Sequence, residues 1–529
     1  MKRINKNIYF IIGYTCFLIA VIIALLYSRE RFVRIPITGA SIEQVEALGG
    51  WWLTVPAAEN NELDSDINGT FFNEDYSKVY LILPRNIDET HIVFYVRDVA
   101  DQYAMRCVED FSEGEIILGS KTVILVKSAL PFTYINVDKS QFEKMNNDVN
   151  RVEILQTEGH IICEDTVDED VLLKLRGNST RYYPKKSYGV ELEKAKILLG
   201  MPKNRKWNMI SNFCDLSILS NSVFYDLANE MGIPYTCDNE LATVYINGEY
   251  RGVYLFTSKH NVDKNRINLK KGDYLLCLGD SELDISPRGM TYFKIESNYI
   301  TYDGGALSGA IYSGDEGYNP LDRCNCFVID YPKDNVNVEY ISEFVQKAFE
   351  ALEDKNSEDY LNYFDLDNMI KFYMLQEFSQ NGDATSRSIY LFYDSSKKKL
   401  MFGPVWDLDN TLNLYTEDYT ELVANRSWYR AFFLHDSFID RLYKIYDEEL
   451  RDAVYHSIDN YQKYAQSIEL DGEMNLNLIR EDYKVHFDNE VNKTYMEECE
   501  EKIDYYKMRV DHLNDIFLEH KIKEYVKIK

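Results

Sequence analysis

The hydrophobic periodicity of the sequence changes along the chain, and that change restricts the folds open to it. From about residue 78 to residue 163, short apolar runs such as VYLILP, HIVFYV and TVILV alternate with clusters of Asp, Asn, Gly and Pro. Runs of this kind are typical of strands. Stretches at 337–353 and 365–380 and the last ~110 residues have helical patterns instead. The chain is therefore predicted to have an α+β fold, with a β-sandwich-like domain at about residues 35–165.

A second block, at about residues 166–262, predicts a small antiparallel sheet with one helix. VLLKLRGNSTRYYPKKSYGVELE has the pattern of two strands joined by a polar turn, and LATVYINGEYRGVYLF that of a hairpin turning at Asn247–Gly248. Between them, DLSILSNSVFYDLANEM has an apolar helical stripe with Asp215 as its N-cap. A loop-rich insertion is expected at about 263–335 and a helical lobe at about 336–529.

The segment Ile8–Leu26 carries no charge over 19 positions. As a helix it would be about 29 Å long, which matches the hydrocarbon core of a bilayer. A cleaved signal peptide is the alternative, but the run is longer than its usual apolar core and no small-x-small cleavage site follows. Residues 1–34 are therefore predicted to be a signal anchor of a single-pass membrane protein. Basic residues flank both ends and do not orient it, and the long acidic body is expected to be extracytoplasmic.

The chain is strongly acidic, because 58 Lys and Arg residues stand against 87 Asp and Glu residues and give a formal charge of −29. Nucleic acid is excluded as the main partner, since phosphate binding needs a basic face. The nine cysteines include no CxxC pair, and Cys324-x-Cys326 alone is weak evidence for zinc. Neither an HExxH nor a GxSxG motif occurs, so the sequence gives no support to a zinc hydrolase or a serine hydrolase.

The segment VWDLDNTL, residues 405–412, places two carboxylates two positions apart at the end of the predicted hairpin SIYLFYDSSKKKLMFGPVW. Read alone, it is similar to haloacid dehalogenase-type phosphatases, with Asp407 as nucleophile and Asp409 as acid/base. That fold needs a parallel βαβ sheet and a paired-Asp site further on, and the sequence has neither. The two residues are instead expected to hold Mg²⁺ or Mn²⁺, because carboxylates are hard oxygen ligands. Their structural alternative is an Asx pair that stabilises a turn.

Three further features precede this motif in the order of a kinase site. Asp383, in Asn381-Gly382-Asp383 after a predicted helix, is a candidate to accept a hydroxyl proton. The turn RGNST, which includes Asn178 and Ser179, could cover phosphates with its backbone N–H groups. Lys186 follows in a predicted strand and shares a face with apolar residues, whereas Lys185 points the other way. The structural alternatives are a loop-capping aspartate and a solvated strand lysine.

Four segments resemble, in order, the motifs of the spore coat protein H (CotH) kinase family: RGNSTRYYPKKSYGVEL, LLGMPKNRKWNMISNFCDLSILSNSVFYDLANEMGIPY, VYINGEYRGVYLF and GPVWDLDNTLN. They cover about residues 166–415. The resemblance implies an atypical protein-kinase-like domain with two lobes, at residues 166–529. It also implies transfer of the γ-phosphate of ATP to serine or threonine of secreted or coat proteins, with Mg²⁺ or Mn²⁺. By position, Lys186 resembles the nucleotide lysine, Asp383 the catalytic base and Asp407 the metal ligand.

Three serines depart from the pattern of that family. Ser388 stands five residues after the base, where a metal-binding Asn is expected, and a hydroxyl is a weaker neutral ligand. Ser220 stands where the helix usually has an arginine, and Ser258 where a strand often ends in glutamate. Asp409 or Asn410 could complete the metal shell. The alternative function is therefore a catalytically weak pseudokinase that serves as a surface binding or adhesion module.

The sequence thus predicts a membrane-anchored, CotH-like protein serine/threonine kinase that uses ATP and Mg²⁺ or Mn²⁺. The expected site residues are Asp383 for catalysis, Lys186, Asn178 and Ser179 for the nucleotide, and Asp407, Asp409 and Ser388 for the metal. The acidic surface predicts a basic, Ser-rich protein substrate through charge steering.

Overall fold

The computed structural model describes residues 126–147, 156–164, 167–177, 179–247, 249–278, 289–299, 326–385, 388–412 and 418–527. Before residue 126 it describes the backbones of short strands, together with Ile82 and Arg85, and of Ser179 and Thr385 it describes the backbone alone. The predicted membrane segment Ile8–Leu26 lies outside these residues, so the signal anchor stays a prediction. Among the helices that are described, none combines the length and the hydropathy of a membrane span.

The part of the chain before residue 126 is rich in strands, as predicted. Its strands are β1 (Val33–Thr38), β2 (Ala58–Glu59), β3 (Glu62–Leu63), β4 (Thr70–Phe72), β5 (Lys78–Leu83), β6 (Ile92–Arg97), β7 (Tyr103–Val108), β8 (Glu115–Leu118) and β9 (Lys121–Lys127). They pair as a three-stranded sheet in the order β1-β6-β7, a four-stranded sheet in the order β4-β5-β9-β8, and the pair β2-β3. The sandwich-like arrangement of these sheets stays a prediction.

The next seven strands form a closed barrel. They are β10 (Phe132–Val137), β11 (Gln156–Cys163), β12 (Val167–Leu175), β13 (Tyr188–Leu198), β14 (Met201–Ile210), β15 (Asn239–Ile246) and β16 (Glu249–Ser258), in the order β10-β11-β12-β13-β14-β16-β15. The barrel closes because β10 pairs in parallel with β15, with Thr133 opposite Val244. Its interior is filled by a continuous cluster of buried apolar side chains that includes Ile135, Leu173, Val190, Trp207 and Phe256.

This barrel corrects the predicted small antiparallel sheet in two respects. The sequence LLGMPKNRKWNMI contains the strand β14, which the hydrophobic pattern did not reveal because Lys and Asn interrupt it. The predicted domain boundary near residue 165 falls between β11 and β12, which are hydrogen-bonded neighbours over eight residue pairs. The barrel therefore takes in strands from both sides of that boundary. The hairpin of β15 and β16 is confirmed, with Asn247 in the left-handed region at φ 52°.

Two helices lie between strands of the barrel along the chain. Helix α1 (Lys139–Asn147) follows β10 and buries Phe142 and Met145. Helix α2 (Ser220–Glu230) lies between β14 and β15 and ends before Gly232, whose φ of 72° terminates it as predicted. The prediction of Asp215 as the N-cap is wrong, because the helix begins at Ser220 and Leu219 occupies the N-cap. Asp215 lies five residues before Ser220, and its Oδ2 accepts the N–H of Ser220 at 2.8 Å.

The second lobe contains a five-stranded sheet in the order β18-β19-β17-β20-β21. Its strands are β17 (Tyr274–Leu278), β18 (Tyr292–Lys294), β19 (Cys326–Tyr331), β20 (Ile389–Asp394) and β21 (Lys399–Phe402). The predicted insertion at 263–335 is wrong in this respect, since β17 is the central strand of the sheet and β19 pairs with it. The run YLLCL has no polar alternation because both of its faces are covered, so its periodicity did not identify a strand. The hairpin of β20 and β21 is confirmed.

The rest of the second lobe is helical, as predicted. Its helices are α3 (Val338–Glu353), α4 (Leu366–Ser379), α5 (Tyr429–Phe432), α6 (Asp436–Ile445), α7 (Arg451–Ser467), α8 (Glu469–Phe487), α9 (Tyr495–Leu518) and α10 (Ile522–Tyr525), with a π-helical turn at Tyr446–Leu450. Side chains of α2, the sheet and these helices form one buried apolar cluster, in which the rings of Phe402 and Trp428 are in contact with their centroids 5.1 Å apart.

The helix α8 attaches the barrel to the helical lobe, and α9 holds α4 within that lobe. On α8, Asp471 accepts hydrogen bonds from Ser128 at 2.5 Å, from the N–H of Ala129 at 2.8 Å and from Thr243 at 3.2 Å. On α9, Arg509 forms a fully buried ion pair with Glu377 of α4. The α4 helix leads directly to the loop that carries Asp383, so these contacts also fix the loop relative to the barrel.

Candidate active site

Two loops place carboxylates at the end of the second-lobe sheet. The strand β21 ends at Phe402, and the following segment reaches Asp407, whose φ of 63° lies in the left-handed region. A non-glycine residue in this region is strained, and such strain is often found at functional sites. Helix α4 ends at Ser379, and Gln380, at φ 49°, turns the chain towards Asp383. The two loops meet, so the predicted acids lie in one site.

Asp409 lies at the centre of this group of acids. Only 9% of the residue is exposed. Burial, followed by repulsion from Asp407 and Asp383, raises the pKa of its carboxyl to about 8. Its Oδ1 is buried and has no hydrogen-bond partner among the described residues. A buried carboxylate oxygen without a donor is costly, and a bound cation would remove that cost.

The other two acids each have a neutral partner. The Nδ2 of Asn410 donates to Oδ2 of Asp383 at 2.8 Å, and the hydroxyl of Ser388 donates to Oδ2 of Asp407 at 2.7 Å. Ser388 is thus beside the proposed metal ligand, as predicted from its spacing. Asn381 accepts the N–H of Asp383 at 3.0 Å and fixes the start of the loop.

Helix α2 of the barrel lobe contacts the loop that carries the metal-binding acids. The Oδ1 of Asn221 accepts the N–H of Leu408 at 2.9 Å, and Leu408 lies between the two acids of the motif. The Nδ2 of Asn221 donates to Asn212 at 3.1 Å, which fixes the orientation of its amide. The hydroxyl of Tyr225 contacts the backbone of Asp407, and burial raises its pKa well above the usual value. We did not predict this role of Asn221. In the sequence, Asn221 is a polar residue within a helix that was predicted to be buried on one side.

The buried ring of His260 contacts Trp406, the residue that precedes Asp407, and is subject to repulsion from three cations. The ring of His260 makes edge-to-face contacts with the rings of Tyr390 and Trp406, and the ring centroids are 5.1 and 5.8 Å apart. Burial lowers the pKa of His260 well below its usual value, and Arg266, Arg176 and Lys259 lower it further by repulsion.

Three buried N–H donors of Trp406 and Arg266 have no acceptor among the residues that the structure describes. The indole Nε1 of Trp406 and the Nε and Nη2 of Arg266 are buried and have no hydrogen-bond partner in the described part of the chain. Unpaired buried donors beside several cations fit an anionic ligand that accepts hydrogen bonds. The predicted RGNST turn begins at Arg176, but the roles of Arg176, Lys259 and Arg266 were not predicted.

The burial of Lys185 and Lys186 differs from the prediction, which placed Lys186 on the apolar face of a strand and Lys185 on the opposite face. Residues 183–187 are not part of β13, which begins at Tyr188, so the alternation of strand faces does not extend to them. Lys185 is the buried one: its Nζ donates to the carbonyls of Ser211 and Val253, at 3.0 and 2.6 Å, and to Asn475 of α8, at 2.7 Å. These three acceptors use all of its hydrogen atoms, so Lys185 holds α8 on the barrel.

The contact of Lys185 with Asn475 also explains why residue 252 is a glycine. Gly252 has a φ of 85°, and a Cβ built on it would lie 2.4 Å from the Oδ1 of Asn475 and 3.2 Å from the Nζ of Lys185. Only glycine leaves room for this contact.

Lys186, the predicted nucleotide lysine, is half-buried. Its Nζ donates to the carbonyl of Arg181 at 2.6 Å, and its charge contributes to the lowered pKa of His486, after burial. It therefore contacts the turn after β12, and the structure does not place it against Asp407. Asn178 and the side chain of Ser179, the other two predicted nucleotide ligands, lie outside the described residues.

The acids fit a divalent cation in their chemistry. No group of three or more His, Cys, Asp or Glu side chains within the described residues converges closely enough to form a complete metal site. Asp407 and Asp409 nevertheless offer hard oxygens on one loop, including the unpaired Oδ1 of Asp409. Mg²⁺ is typically bound by one or two carboxylates, with waters and substrate phosphates as the other ligands. The residues present fit such an open site.

Comparisons with known proteins agree with this geometry in part. A family model described as CotH kinase protein matches residues 173–513, which include the barrel strands from β13 to β16 as well as Asp383 and Asp407. A search of solved structures matches the crystal structure of a Helicobacter pylori proinflammatory kinase, CtkA, at 10% identity, covering 65% of this chain and 96% of that chain with a TM-score of 0.23. A TM-score this low supports no argument about the fold or the site. A search of curated proteins gave no match.

Proposed function

Because the chain belongs to the CotH kinase protein family, we propose that it transfers the γ-phosphate of ATP to a serine or threonine hydroxyl of a protein substrate. The observation that carries this proposal is that Asp383 and Asp407 lie near Asp409, whose pKa is raised by burial and then by repulsion from these two carboxylates. In protein kinases, one aspartate accepts the proton of the substrate hydroxyl and another aspartate close to it binds the metal ion.

The roles of the acids follow from their surroundings. Asp383 would accept a hydrogen bond from the acceptor hydroxyl and take its proton, while Asn410 holds the carboxylate in one orientation. The acceptor oxygen forms a bond to the γ-phosphorus, the bond between that phosphorus and the β–γ bridging oxygen breaks, and ADP leaves. Asp407 and Asp409 would hold Mg²⁺ or Mn²⁺, which neutralises phosphate charge when bound.

The cations around His260 are the best candidates for contacts to the nucleotide. Arg176 and Lys259 would attract the phosphates, and the unpaired donors of Arg266 and Trp406 would bind acceptor atoms of the nucleotide. Lys186 lies beside the RGNST turn and would approach the phosphates only if its contact with the carbonyl of Arg181 were released.

The substrate and the location are proposed from charge and from the N-terminal sequence. A formal charge of −29 favours a basic, Ser-rich protein substrate, such as a surface or coat protein. The uncharged segment Ile8–Leu26 would anchor the protein in a membrane with the body extracytoplasmic.

One observation favours a pseudokinase as the second candidate. Ser388 stands where a second metal ligand is expected, and its hydroxyl is engaged with Asp407. A site that binds ATP without transferring phosphate would have the same acids and cations.

A transfer assay separates the two functions. The full chain in detergent is incubated with γ-labelled ATP, Mn²⁺ and a basic serine peptide, beside Asp383→Asn and the exposed control Asp504→Asn. We expect wild type and the control to label the peptide equally and Asp383→Asn to be slower by about 10²–10⁴-fold. ATP-dependent thermal stabilisation without labelling would establish the pseudokinase, and equal labelling by Asp383→Asn would refute the assigned base.

A further inference from the structure

Lys502 on α9 is a buried cation for which the proposed reaction has no role. Its side chain is 10% exposed, and its Nζ lies 2.8 Å from Oδ1 of Asp215 and 3.1 Å from the hydroxyl of Ser220. Asp215 is completely buried. Residues separated by 282 positions thus meet at the first turn of α2. A lysine at this depth is uncommon, so its contacts need an explanation.

Asp215 organises the start of α2. Its Oδ2 accepts the N–H of Ser220 at 2.8 Å, and its Oδ1 accepts the N–H and hydroxyl of Ser217 at 3.2 and 2.5 Å. Burial alone would raise the pKa of Asp215, but the charge and the hydrogen bond of Lys502 hold that pKa below its usual value. Without the ammonium group, a buried carboxylate at the helix start would lack its counter-ion.

The first turn of α2 is in direct contact with the acidic loop. Asn221 follows Ser220 and accepts the N–H of Leu408, the residue between Asp407 and Asp409. The contacts therefore run without a gap from Lys502 through Asp215 and Ser220 to Asn221, and from Asn221 to the backbone of the loop. The second lobe supplies both ends of this path and the barrel lobe supplies its middle.

We propose that Lys502 is a positioning residue: it fixes the first turn of α2 and thereby the amide of Asn221 that holds the Asp407–Asp409 loop in its metal-binding conformation. The sequence showed a serine at position 220 where the family resemblance implied an arginine. The cation that Ser220 lacks reaches the same place from α9, and the small serine side chain accepts a hydrogen bond from it. This inference rests on the proposed metal site, but it needs no phosphate transfer.

The test measures Mn²⁺ binding to the full chain directly, by titration with detection of free Mn²⁺ by electron paramagnetic resonance, without ATP, because ATP itself binds Mn²⁺. We expect Lys502→Met to weaken Mn²⁺ binding by about 10–100-fold, as changes in residues that orient metal ligands do. Lys502→Arg should bind Mn²⁺ nearly as wild type, because it keeps the charge. The control Lys507→Met removes an exposed lysine from the same helix and should have no effect.

A double-variant cycle separates positioning from a general loss of stability. If Lys502 acts through Asn221, then Asn221→Ala weakens Mn²⁺ binding by itself, and adding Lys502→Met weakens it little further. Wild-type affinity in folded Lys502→Met, or effects of the two changes that simply add, would overturn the proposal. Lys502→Gln replaces Lys502→Met, with the same expectation, if the methionine variant does not fold. Wild type that binds Mn²⁺ but labels no peptide would refute the kinase function and leave this inference standing.

Discussion

The Nδ2 of Asn410 lies 2.8 Å from the Oδ2 of Asp383 and joins the two loops of the site. One loop follows α4 and the other follows β21, so this hydrogen bond fixes the proposed base relative to the proposed metal ligands. It uses one carboxylate oxygen of Asp383, and we propose that the other accepts the substrate hydroxyl.

Replacing Asn410 with alanine should therefore reduce the rate of transfer more than nucleotide binding. We expect kcat of Asn410→Ala to fall by about tenfold or more, because a carboxylate that rotates is a poorer proton acceptor. Peptide phosphorylation at saturating ATP measures it. Asn425→Ala, which removes a contact with the carbonyl of Tyr525, is the matched control. An unchanged kcat would mean that the hydrogen bond does not orient the base.

The raised pKa of Asp409, about 8, gives a pH dependence with a defined sign. The folded, metal-free protein keeps a proton that the unfolded chain loses near pH 4, so this group reduces stability as the pH rises from about 4 to about 8. Asp409→Asn should therefore lose less stability than wild type over that range. Calorimetry of both proteins without metal at pH 5, 6.5 and 8 measures the difference. The same pH dependence in both would contradict the assignment.

Mn²⁺ should reverse this effect because it replaces the proton on Asp409. Its affinity is expected to rise with pH below 8, by up to about tenfold per pH unit. Thermal stabilisation of wild type by Mn²⁺ at pH 6.5 and 8 measures the trend, and Asp504→Asn should behave as wild type. A stabilisation that does not change with pH would contradict a protonated Asp409.

The cations near His260 can be compared with the two adjacent lysines. We expect Arg176→Ala and Lys259→Ala each to raise KM for ATP by about tenfold, since charge-assisted hydrogen bonds to phosphate are strong. Lys186→Ala should have the smaller effect, because its Nζ is bonded to the carbonyl of Arg181. Lys185→Met should instead lower the free energy of unfolding. Steady-state kinetics and urea unfolding distinguish these results, and a large KM effect confined to Lys186 would restore the original prediction.

The buried ion pair of Arg509 and Glu377 should be important for stability. Arg509 also donates to the carbonyls of Tyr419 and Glu421, at 2.6 and 2.7 Å. Arg509→Met should lower the free energy of unfolding by about 3–5 kcal/mol, because it leaves the carboxylate of Glu377 buried without its counter-ion. The double variant Arg509→Met/Glu377→Gln should recover part of this loss. Urea unfolding measures both, and a double variant less stable than the single would contradict the explanation.

Local patterns predicted the elements that carry the acids. The hairpin turn at Asn247 and the helices before Asp383 follow from residue spacing alone. The DLDN motif predicted a metal site at Asp407 and Asp409, and the structure brings these residues near Asp383. These features depend on neighbours in sequence, which the pattern contains.

The features that were missed depend on partners far away in sequence. Closure of the barrel requires the parallel pairing of Thr133 with Val244, which no local pattern indicates. The orientation of Lys185 was predicted from the alternation of side chains along a strand, but the strand begins only at Tyr188. The three acceptors of Lys185 come from three separate segments of the chain. The approach of Lys502 to Ser220 is of the same kind, because a helix near the end of the chain supplies the cation.

The most direct test of the proposed site is a crystal structure of the protein with Mn²⁺ and a non-hydrolysable ATP analogue, with anomalous data for manganese. We predict an anomalous peak within coordination distance of Asp407 and Asp409, with the terminal phosphate of the analogue directed towards Asp383. A nucleotide bound elsewhere, or manganese that contacts neither aspartate, would contradict the assignment of this site.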